Sequence, residues 1–125
     1  MVNSWLLLKE QNKVHALSKS LSAQDPLLGA DCGWVEQMQP FIKEFSKEGE
    51  TVLDIYAGWG STLVAALLEG RNALGIEIER VRLEAAGKRL KAYAKAGLEA
   101  RLIEGDSRFV ELLPESVDLI LTSVP

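Results

Sequence analysis

Two glycines and two acidic residues in one stretch of the chain have the types and spacing of a nucleotide-type ligand site. Asp54 precedes the turn Gly58-Trp59-Gly60, and Glu77 follows Gly58 by nineteen positions. Glycines adopt positive φ readily and let a ligand approach the backbone, because they carry no Cβ. In nucleotide-binding folds a carboxylate about this far along accepts hydrogen bonds from the ribose hydroxyls. The spacing therefore predicts a ligand site around the glycine turn.

Such a site needs a strand before the turn, a helix after it and a second strand ending near the second acid. The β-branched and aliphatic run Thr51–Tyr56 predicts the first strand. Ser61 is a suitable N-cap for a helix over Thr62–Glu69, and Ala73–Ile78 predicts the second strand. A glycine pair alone indicates only a tight turn, but here the strand, the helix and both acids agree.

The chain before this stretch is predicted to be a lead-in. The spacing of apolar residues predicts a helix in Met1–Ala23, followed by a loop over Asp25–Gly33. A second helix is predicted over Trp34–Phe45, and Pro40 either starts that helix or kinks it. We accordingly divide the chain into a lead-in, residues 1–33, and a binding domain, residues 34–125.

After Glu79 the pattern predicts a long helix reaching about Ala96. Its expected buried stripe consists of Leu83, Ala86, Leu90 and Ala94. Its basic residues are Arg80, Arg82, Lys88, Arg89, Lys91 and Lys95. We interpret them as a solvated face, with a phosphate-contacting surface as the alternative.

The remaining strands are predicted at Ala100–Glu104 and Val117–Leu121, with a short helix over Ser107–Leu113 between them. Strands that alternate with helices imply an α/β fold. We predict a Rossmann-like parallel sheet of about four strands with flanking helices, preceded by the N-terminal helices.

Composition restricts the possible chemistry. The 125 residues carry a net charge of −4, so no overall positive field attracts nucleic acid. One cysteine and one histidine exclude an intrachain disulfide and a cysteine or histidine cluster for metal, and no metal site is predicted. The early apolar run Trp5–Leu8 is too short to span a bilayer, so we expect no membrane association and a cytoplasmic location.

The glycine turn also carries a family resemblance. A dinucleotide-binding loop requires a third glycine where this chain has Leu63, so a nicotinamide-dependent reductase is a distant alternative. Asp54-x-Tyr56-x-Gly58-x-Gly60 instead resembles the first motif of class I S-adenosylmethionine-dependent methyltransferases. The stretch DIYAGWGSTLVAALLEGRNALGIEIE resembles the amino (N4-cytosine or N6-adenine) DNA methyltransferases. Trp59 and Ile55 depart from that pattern, where a small residue and a proline are usual.

The resemblance implies S-adenosyl-L-methionine as cofactor and assigns residues to each part of it. The loop from Asp54 to Gly60 would hold the methionine portion, Glu77 the ribose, and Asp106 with the Ser107 amide the adenine. The cofactor-binding residues so implied are Asp54, Tyr56, Ala57, Gly58, Trp59, Gly60, Glu77, Ile78, Asp106 and Ser107. An alternative role for Asp106 is to N-cap the helix Ser107–Leu113.

The resemblance places the target amine at the end of the last strand. Family members carry there a tetrapeptide such as [DNS]-P-P-[YFW], which accepts hydrogen bonds from the amine and stacks on the flipped base. This chain has Ser123-Val124-Pro125, so Ser123 and Pro125 are the catalytic candidates. The alternative is a strand that simply ends there.

The implied function is methylation of an amino group on a nucleic acid base, with DNA in preference to RNA. The alternative is a catalytically incomplete cofactor-binding subunit that needs a partner for the substrate. The resemblance implies the strand order 3-2-1-4, which leaves the fourth strand as an open edge. We therefore expect either a fragment of a longer protein or self-association through that edge.

Overall fold

The computed structural model describes residues 21–28 and 35–123. These residues form three helices and four strands in an alternating order. They are α1 (Val35–Phe45), β1 (Thr51–Asp54), α2 (Ser61–Leu68), β2 (Asn72–Glu77), α3 (Arg80–Lys91), β3 (Ala100–Glu104) and β4 (Leu119–Ile120). None of the helices among these residues is long and apolar enough to cross a membrane. The predicted helix of residues 1–23 and the loop of residues 25–33 lie largely outside the described ranges.

The four strands form one parallel sheet in the order β3-β2-β1-β4, which confirms the predicted fold class and strand order. The register places Asp54 beside Gly75, and Glu77 beside Glu104. Because the strands are parallel, their carboxyl ends lie along one edge of the sheet. Ligands of open α/β sheets bind at this edge.

The two faces of the sheet are covered differently. Side chains alternate between the faces along each strand, and Val52 and Ala73 pack into the cluster that contains α1 and α2. Leu53, Leu74 and Ile76 point to the opposite face, where residues from the irregular segment 105–118 cover them. In the described part of the chain, the helices therefore contribute to the first face and an irregular segment covers the second.

Gly75 explains why Leu63 can occupy the position of a third glycine. A Cβ added at Gly75 would lie 2.6 Å from Leu63 Cδ1 and 2.9 Å from Ala57 Cβ. The third glycine of a dinucleotide-binding loop allows close packing of helix on strand. In this chain the close approach is made possible by a glycine on the strand, and the helix contributes the larger side chain.

Several predicted strand and helix bounds differ from the structure by one or two residues. Strand β1 ends at Asp54 because the Asp54 side chain accepts a hydrogen bond from the Tyr56 N–H, which turns the backbone. Helix α2 begins at Ser61, so Ser61 is not its N-cap. That position belongs to Gly60, whose φ is +87° and which makes no side-chain cap. The last strand contains only Leu119 and Ile120.

Other predictions fail in helices α1 and α3 and in the segment after Asp106. Helix α1 begins at Val35, so Pro40 lies inside it and does not start it. Helix α3 ends at Lys91, well before the predicted Ala96, and Ala94 is exposed. Residues 107–113 contain a turn and no helix. The Arg108 N–H donates to the Asp106 side chain, and this local hydrogen bond stabilises a turn in place of a helix.

The prediction for Arg89 is the one that the structure contradicts most clearly. The sequence places it among the solvated basic residues of α3, but its side chain is 1% exposed. It is buried because Asp25, from the lead-in, supplies a carboxylate within hydrogen-bond distance. A partner 64 positions away is not visible in the periodicity of a single helix.

Candidate functional site

The carboxyl ends of β1 and β2 bring the two predicted acids next to the glycine turn. Asp54 ends β1 and Glu77 ends β2. Between β1 and α2 the backbone takes positive φ at Gly58, +55°, and at Gly60, +87°. Both values lie in the region that glycine adopts without a steric penalty, so the sequence selects this turn directly.

The Glu77 carboxylate connects the end of β2 to this turn. Its Oε1 accepts a hydrogen bond from the Gly58 N–H at 2.8 Å. Its Oε2 accepts one from the Glu79 N–H at 2.9 Å. The residue is only 6% exposed. Each carboxylate oxygen has a second lone pair, so both can also accept a hydrogen bond from a hydroxyl of a ligand.

Glu77 lines a cavity of about 260 Å³ between the ends of β2 and β3. Five predicted cofactor-binding residues meet there: Tyr56, Glu77, Ile78, Asp106 and Ser107. The other lining residues are Ile55, Ile76, Gly105 and Arg108. A lining that combines apolar side chains with the carboxylates of Glu77 and Asp106 suits a flat ring attached to a hydroxylated sugar.

A second cavity, of about 180 Å³, lies over the glycine turn. It collects Asp54, Tyr56, Ala57, Gly58 and Trp59 from the predicted set, together with Ser123. Gln37, Met38, Ser61 and Thr62 complete the lining. Tyr56 lines both cavities, so the two are neighbours along the sheet edge.

One predicted cofactor-binding residue is placed differently from the others. Gly60 lines neither cavity and instead lies against α3, where an added Cβ would come within 3.2 Å of Ala86 Cβ. Its place in the site is therefore to let the loop approach that helix. Pro125 lies outside the described residues, so its catalytic role stays a prediction.

Asp54 is an acid in an unfavourable environment. Burial raises the pKa of its carboxyl, and the charge of Glu77 adds to that rise. Hydrogen bonds from the Thr62 hydroxyl and the Tyr56 N–H act in the opposite direction without cancelling it. Such a carboxylate would interact favourably with a positively charged group of a ligand in the cavity.

Asp106 is paired with a residue that the sequence analysis missed. The Arg108 guanidinium donates to both carboxylate oxygens, with Nη2 at 2.6 Å from Oδ2 and Nε at 3.0 Å from Oδ1. This pairing lowers the pKa of Asp106 to about 2. The Arg108 N–H donates to the same side chain, and no helix follows, so the proposed N-cap role is wrong. The sequence feature that could have predicted this ion pair is the basic residue two positions after Asp106.

Two arginines of helix α3 contact Trp59, one at its ring and one at its carbonyl. The Arg82 guanidinium carbon lies 5.8 Å from the centre of the Trp59 ring, within cation–π range. The Trp59 carbonyl accepts a weaker hydrogen bond from Arg89, at 3.3 Å. The large side chain that departs from the family pattern therefore lies against a helix that has a cation to receive it.

Among the described residues no group of three or more His, Cys, Asp or Glu side chains could hold a metal ion.

Comparison with known proteins agrees with this geometry. Residues 35–88 match the model of the DNA methylase family. The chain is 42% identical over 55 residues to the type II methyltransferase M.BglI of Bacillus subtilis, covering 44% of this chain and 16% of that one. It is 44% identical over 62 residues to the YubD protein of Escherichia coli (strain K12), covering 50% of this chain and 27% of that one. The chain thus spans less than a third of either relative.

A solved structure shows the same fold. It is an RNA methyltransferase from Salinibacter ruber in complex with S-adenosyl-L-homocysteine. The TM-score is 0.57 at 21% identity, over 70% of this chain and 55% of that one. The family match confirms the resemblance of the Thr51–Glu79 stretch, and the structural match confirms the fold class.

Proposed function

We propose that this chain, which is amino DNA methyltransferase-like over residues 35–88, binds S-adenosylmethionine along the two cavities that share Tyr56. The observation that carries the proposal is the Glu77 carboxylate, fixed by the Gly58 and Glu79 amides at the end of β2. A buried acceptor pair in that position suits the two vicinal hydroxyls of a ribose. The matched segment contains the glycine turn, Glu77 and most of α3.

The residues present fit the cofactor. Glu77 would accept hydrogen bonds from the ribose, the Asp106 carboxylate would accept one from the adenine amine, and the Ser107 N–H would donate to a ring nitrogen of the adenine. Ile78, 62% exposed beside the cavity, offers apolar surface to the ring. The loop from Asp54 to Gly60 would take the methionine portion, where the Asp54 carboxylate favours a positively charged amino group.

The proposed reaction is transfer of a methyl group to an amino group of a nucleic acid base. When bound, the cofactor supplies an already activated methyl group on a sulfonium. The chain has then mainly to align the reacting groups. Ser123 lines the cavity over the glycine turn, and its hydroxyl oxygen can accept a hydrogen bond from the target amine. Similarity to DNA methylases supports DNA over RNA as the substrate.

Calorimetric titration with S-adenosylhomocysteine tests the site. We expect saturable binding by the chain and a large loss in Glu77→Ala. Glu104→Ala is the matched control, because Glu104 ends the neighbouring strand in register with Glu77 but lines neither cavity. Equal binding by the chain and by Glu77→Ala would refute the ribose assignment. No binding by the chain would refute the proposal as a whole.

Transfer of a labelled methyl group to DNA, RNA and small amines tests the activity. We expect incorporation into the amino groups of DNA bases and less into RNA. Loss of that incorporation in Ser123→Ala, with cofactor affinity unchanged, would support the role of Ser123. Label appearing only in small amines would contradict a nucleic acid substrate.

A second candidate function is a cofactor-binding subunit that obtains its substrate-binding side from a partner. It is favoured by β4, which within residues 21–28 and 35–123 has two residues, pairs with β1 alone and leaves Ile120 60% exposed at the sheet edge. Unpaired strand edges are sites of association, so we propose that this edge pairs with a second copy or with another chain. Sedimentation velocity tests the first case. Concentration-independent monomers that nevertheless methylate DNA would rule out the candidate.

A further inference from the structure

A buried cluster behind the glycine turn links the lead-in of the chain to the candidate site. The Arg89 guanidinium lies at its centre, with Nε at 2.9 Å from Asp25 Oδ2. The Tyr93 hydroxyl donates to the same oxygen at 2.6 Å. The side chains of Asp25 and Arg89 are 0% and 1% exposed. A charged pair so deeply buried is costly to desolvate, and that cost can exceed the attraction between the two charges.

The same guanidinium reaches the turn on its other side. Its Nη1 donates to Ser61 Oγ at 2.9 Å and to the Trp59 carbonyl at 3.3 Å. Between these two residues, Gly60 lies against Ala86, one turn before Arg89 on α3. Arg89 therefore contacts residues on both sides of the positive-φ glycine, and Asp25 holds Arg89 in the orientation that permits this.

Burial and hydrogen bonding determine the protonation states of Asp25 and Tyr93 in this cluster. Burial alone would raise the pKa of Asp25, but the hydrogen bonds from Tyr93, Arg89 and the Leu27 N–H outweigh it and the pKa is lowered. Burial and the bond to Asp25 raise the pKa of Tyr93 to about 12. Near neutral pH the cluster therefore consists of one anion, one cation and a neutral phenol.

We propose that Arg89 is a positioning residue for the cofactor-binding loop, oriented by Asp25, and that it sets the loop conformation in which Gly58 reaches Glu77. The role rests on the proposed function insofar as the loop binds S-adenosylmethionine. The loop geometry itself can be tested without the cofactor. Arg89 touches neither cavity, so it acts only through the backbone and side chains of Trp59 and Ser61.

Arg89→Lys separates this role from general stabilisation. A lysine keeps the positive charge that Asp25 requires, but its single ammonium lacks the planar fork that spans Asp25, Ser61 and Trp59. Tyr93→Phe is the matched control, because it removes a hydrogen bond to the same buried carboxylate and leaves the contacts to the turn in place. Ser61→Ala removes the receiving hydroxyl and leaves the buried cluster intact, so it serves even if Arg89→Lys folds poorly.

The first readout is hydrogen exchange of the Gly58 and Gly60 amides, both hydrogen-bonded within the loop region, in the absence of ligand. We expect roughly tenfold faster exchange in Arg89→Lys and a smaller increase in Ser61→Ala. In Tyr93→Phe we expect no change beyond that explained by its thermal stability. Unchanged exchange in both Arg89→Lys and Ser61→Ala, or equal acceleration in Tyr93→Phe, would overturn the proposal.

The second readout is calorimetric affinity for S-adenosylhomocysteine. We expect roughly tenfold weaker binding in Arg89→Lys than in Tyr93→Phe at equal folded fraction. If the unsubstituted chain does not bind, the proposed function fails, and the exchange data still decide the role of Arg89. If the unsubstituted chain binds and Arg89→Lys binds equally well, the positioning role fails and the proposed function stands.

Discussion

The Glu77 carboxylate accepts a hydrogen bond from the Gly58 N–H at 2.8 Å, across nineteen positions of the chain. This bond joins the two parts of the site that the sequence presents separately, the glycine turn and the acid at the end of β2. The carboxylate that is assigned to the ribose therefore also shapes the loop beside it. Changes at Glu77 should consequently alter both ligand affinity and loop structure.

Glu77→Gln tests this dual role with little change of volume. The amide group can still accept from one of the two N–H donors, Gly58 or Glu79, but it presents its own NH2 to the other. We expect a loss of about 1–3 kcal/mol in the free energy of unfolding, from one unsatisfied buried donor. Cofactor affinity should fall by at least tenfold, measured by calorimetry alongside urea unfolding.

Glu104→Gln provides the comparison at the end of the neighbouring strand, where the carboxylate is paired with Arg80 on the surface. We expect the free energy of unfolding of the Glu104→Gln variant to change by less than about 1 kcal/mol, as is typical when an exposed ion pair is removed. A similar, small effect of both substitutions would contradict the structural role of Glu77.

Asp54→Asn should stabilise the folded chain near neutral pH. The folded-state pKa of Asp54 is raised. The contribution of this carboxyl to the free energy of unfolding is therefore fully present below the ordinary pKa of aspartate, where the carboxyl is protonated. It is lost as the pH rises through the folded-state pKa and the buried group becomes charged. The asparagine carries no charge to desolvate and keeps an oxygen for the Tyr56 N–H. The gain over the unsubstituted chain should be largest at pH 7 and shrink toward pH 4.

Urea unfolding at pH 7, 5.5 and 4 checks this dependence, with the exposed Glu111→Gln as control. The same Asp54→Asn variant should bind the cofactor more weakly, because it lacks the negative charge expected to face the methionine amino group. A gain in stability that is equal at all three pH values would show that charge burial at Asp54 is not its cause.

The parts of the site that the sequence predicts are those encoded locally. The glycine turn, Asp54 and Glu77 lie within one strand-helix-strand unit, whose apolar runs and glycines determine the geometry residue by residue. The order of the four strands also follows, through family resemblance. Arg89 and its partner Asp25 could not be predicted in this way, because a buried ion pair between distant segments leaves no periodic signal. The segment after Asp106 was misassigned since a side-chain turn and a helix begin with the same residue types.

Arg108→Gln should strengthen cofactor binding if Asp106 receives the adenine amine. In the structure the Arg108 side chain and backbone N–H occupy both Asp106 oxygens, so a ligand must displace the guanidinium. Arg108 is 74% exposed, and such surface pairs contribute at most about 1 kcal/mol. Removing the competitor should therefore raise the affinity roughly two- to fivefold.

Arg80→Gln is the control for this change, because it removes an exposed cation that is paired with Glu104 and lines neither cavity. Both variants are compared by calorimetric titration at pH 7. Weaker binding in Arg108→Gln alone would indicate that the guanidinium contacts the ligand directly, and it would contradict the competition described here.

Gly75→Ala tests the packing that allows Leu63 to follow the glycine turn. The added Cβ would lie 2.6 Å from Leu63 Cδ1, 2.9 Å from Ala57 Cβ and 3.0 Å from Leu102 Cδ2. Because these neighbours are themselves in the packed core, at least one of them must shift. We expect a loss of about 1–3 kcal/mol in the free energy of unfolding. We also expect weaker cofactor binding, since Ala57 lines the cavity over the turn.

Gly87→Ala is the matched substitution on α3. Among the described residues, its added Cβ would meet Leu102 Cδ1 alone, at 3.7 Å, which is an ordinary contact, and alanine is the better helix former by about 1 kcal/mol. Urea unfolding should therefore show opposite changes, destabilisation for Gly75→Ala and a small stabilisation for Gly87→Ala. If both glycines tolerate alanine equally, the close approach of α2 to β2 is not what requires glycine at position 75, and Leu63 must be accommodated by another movement of the core.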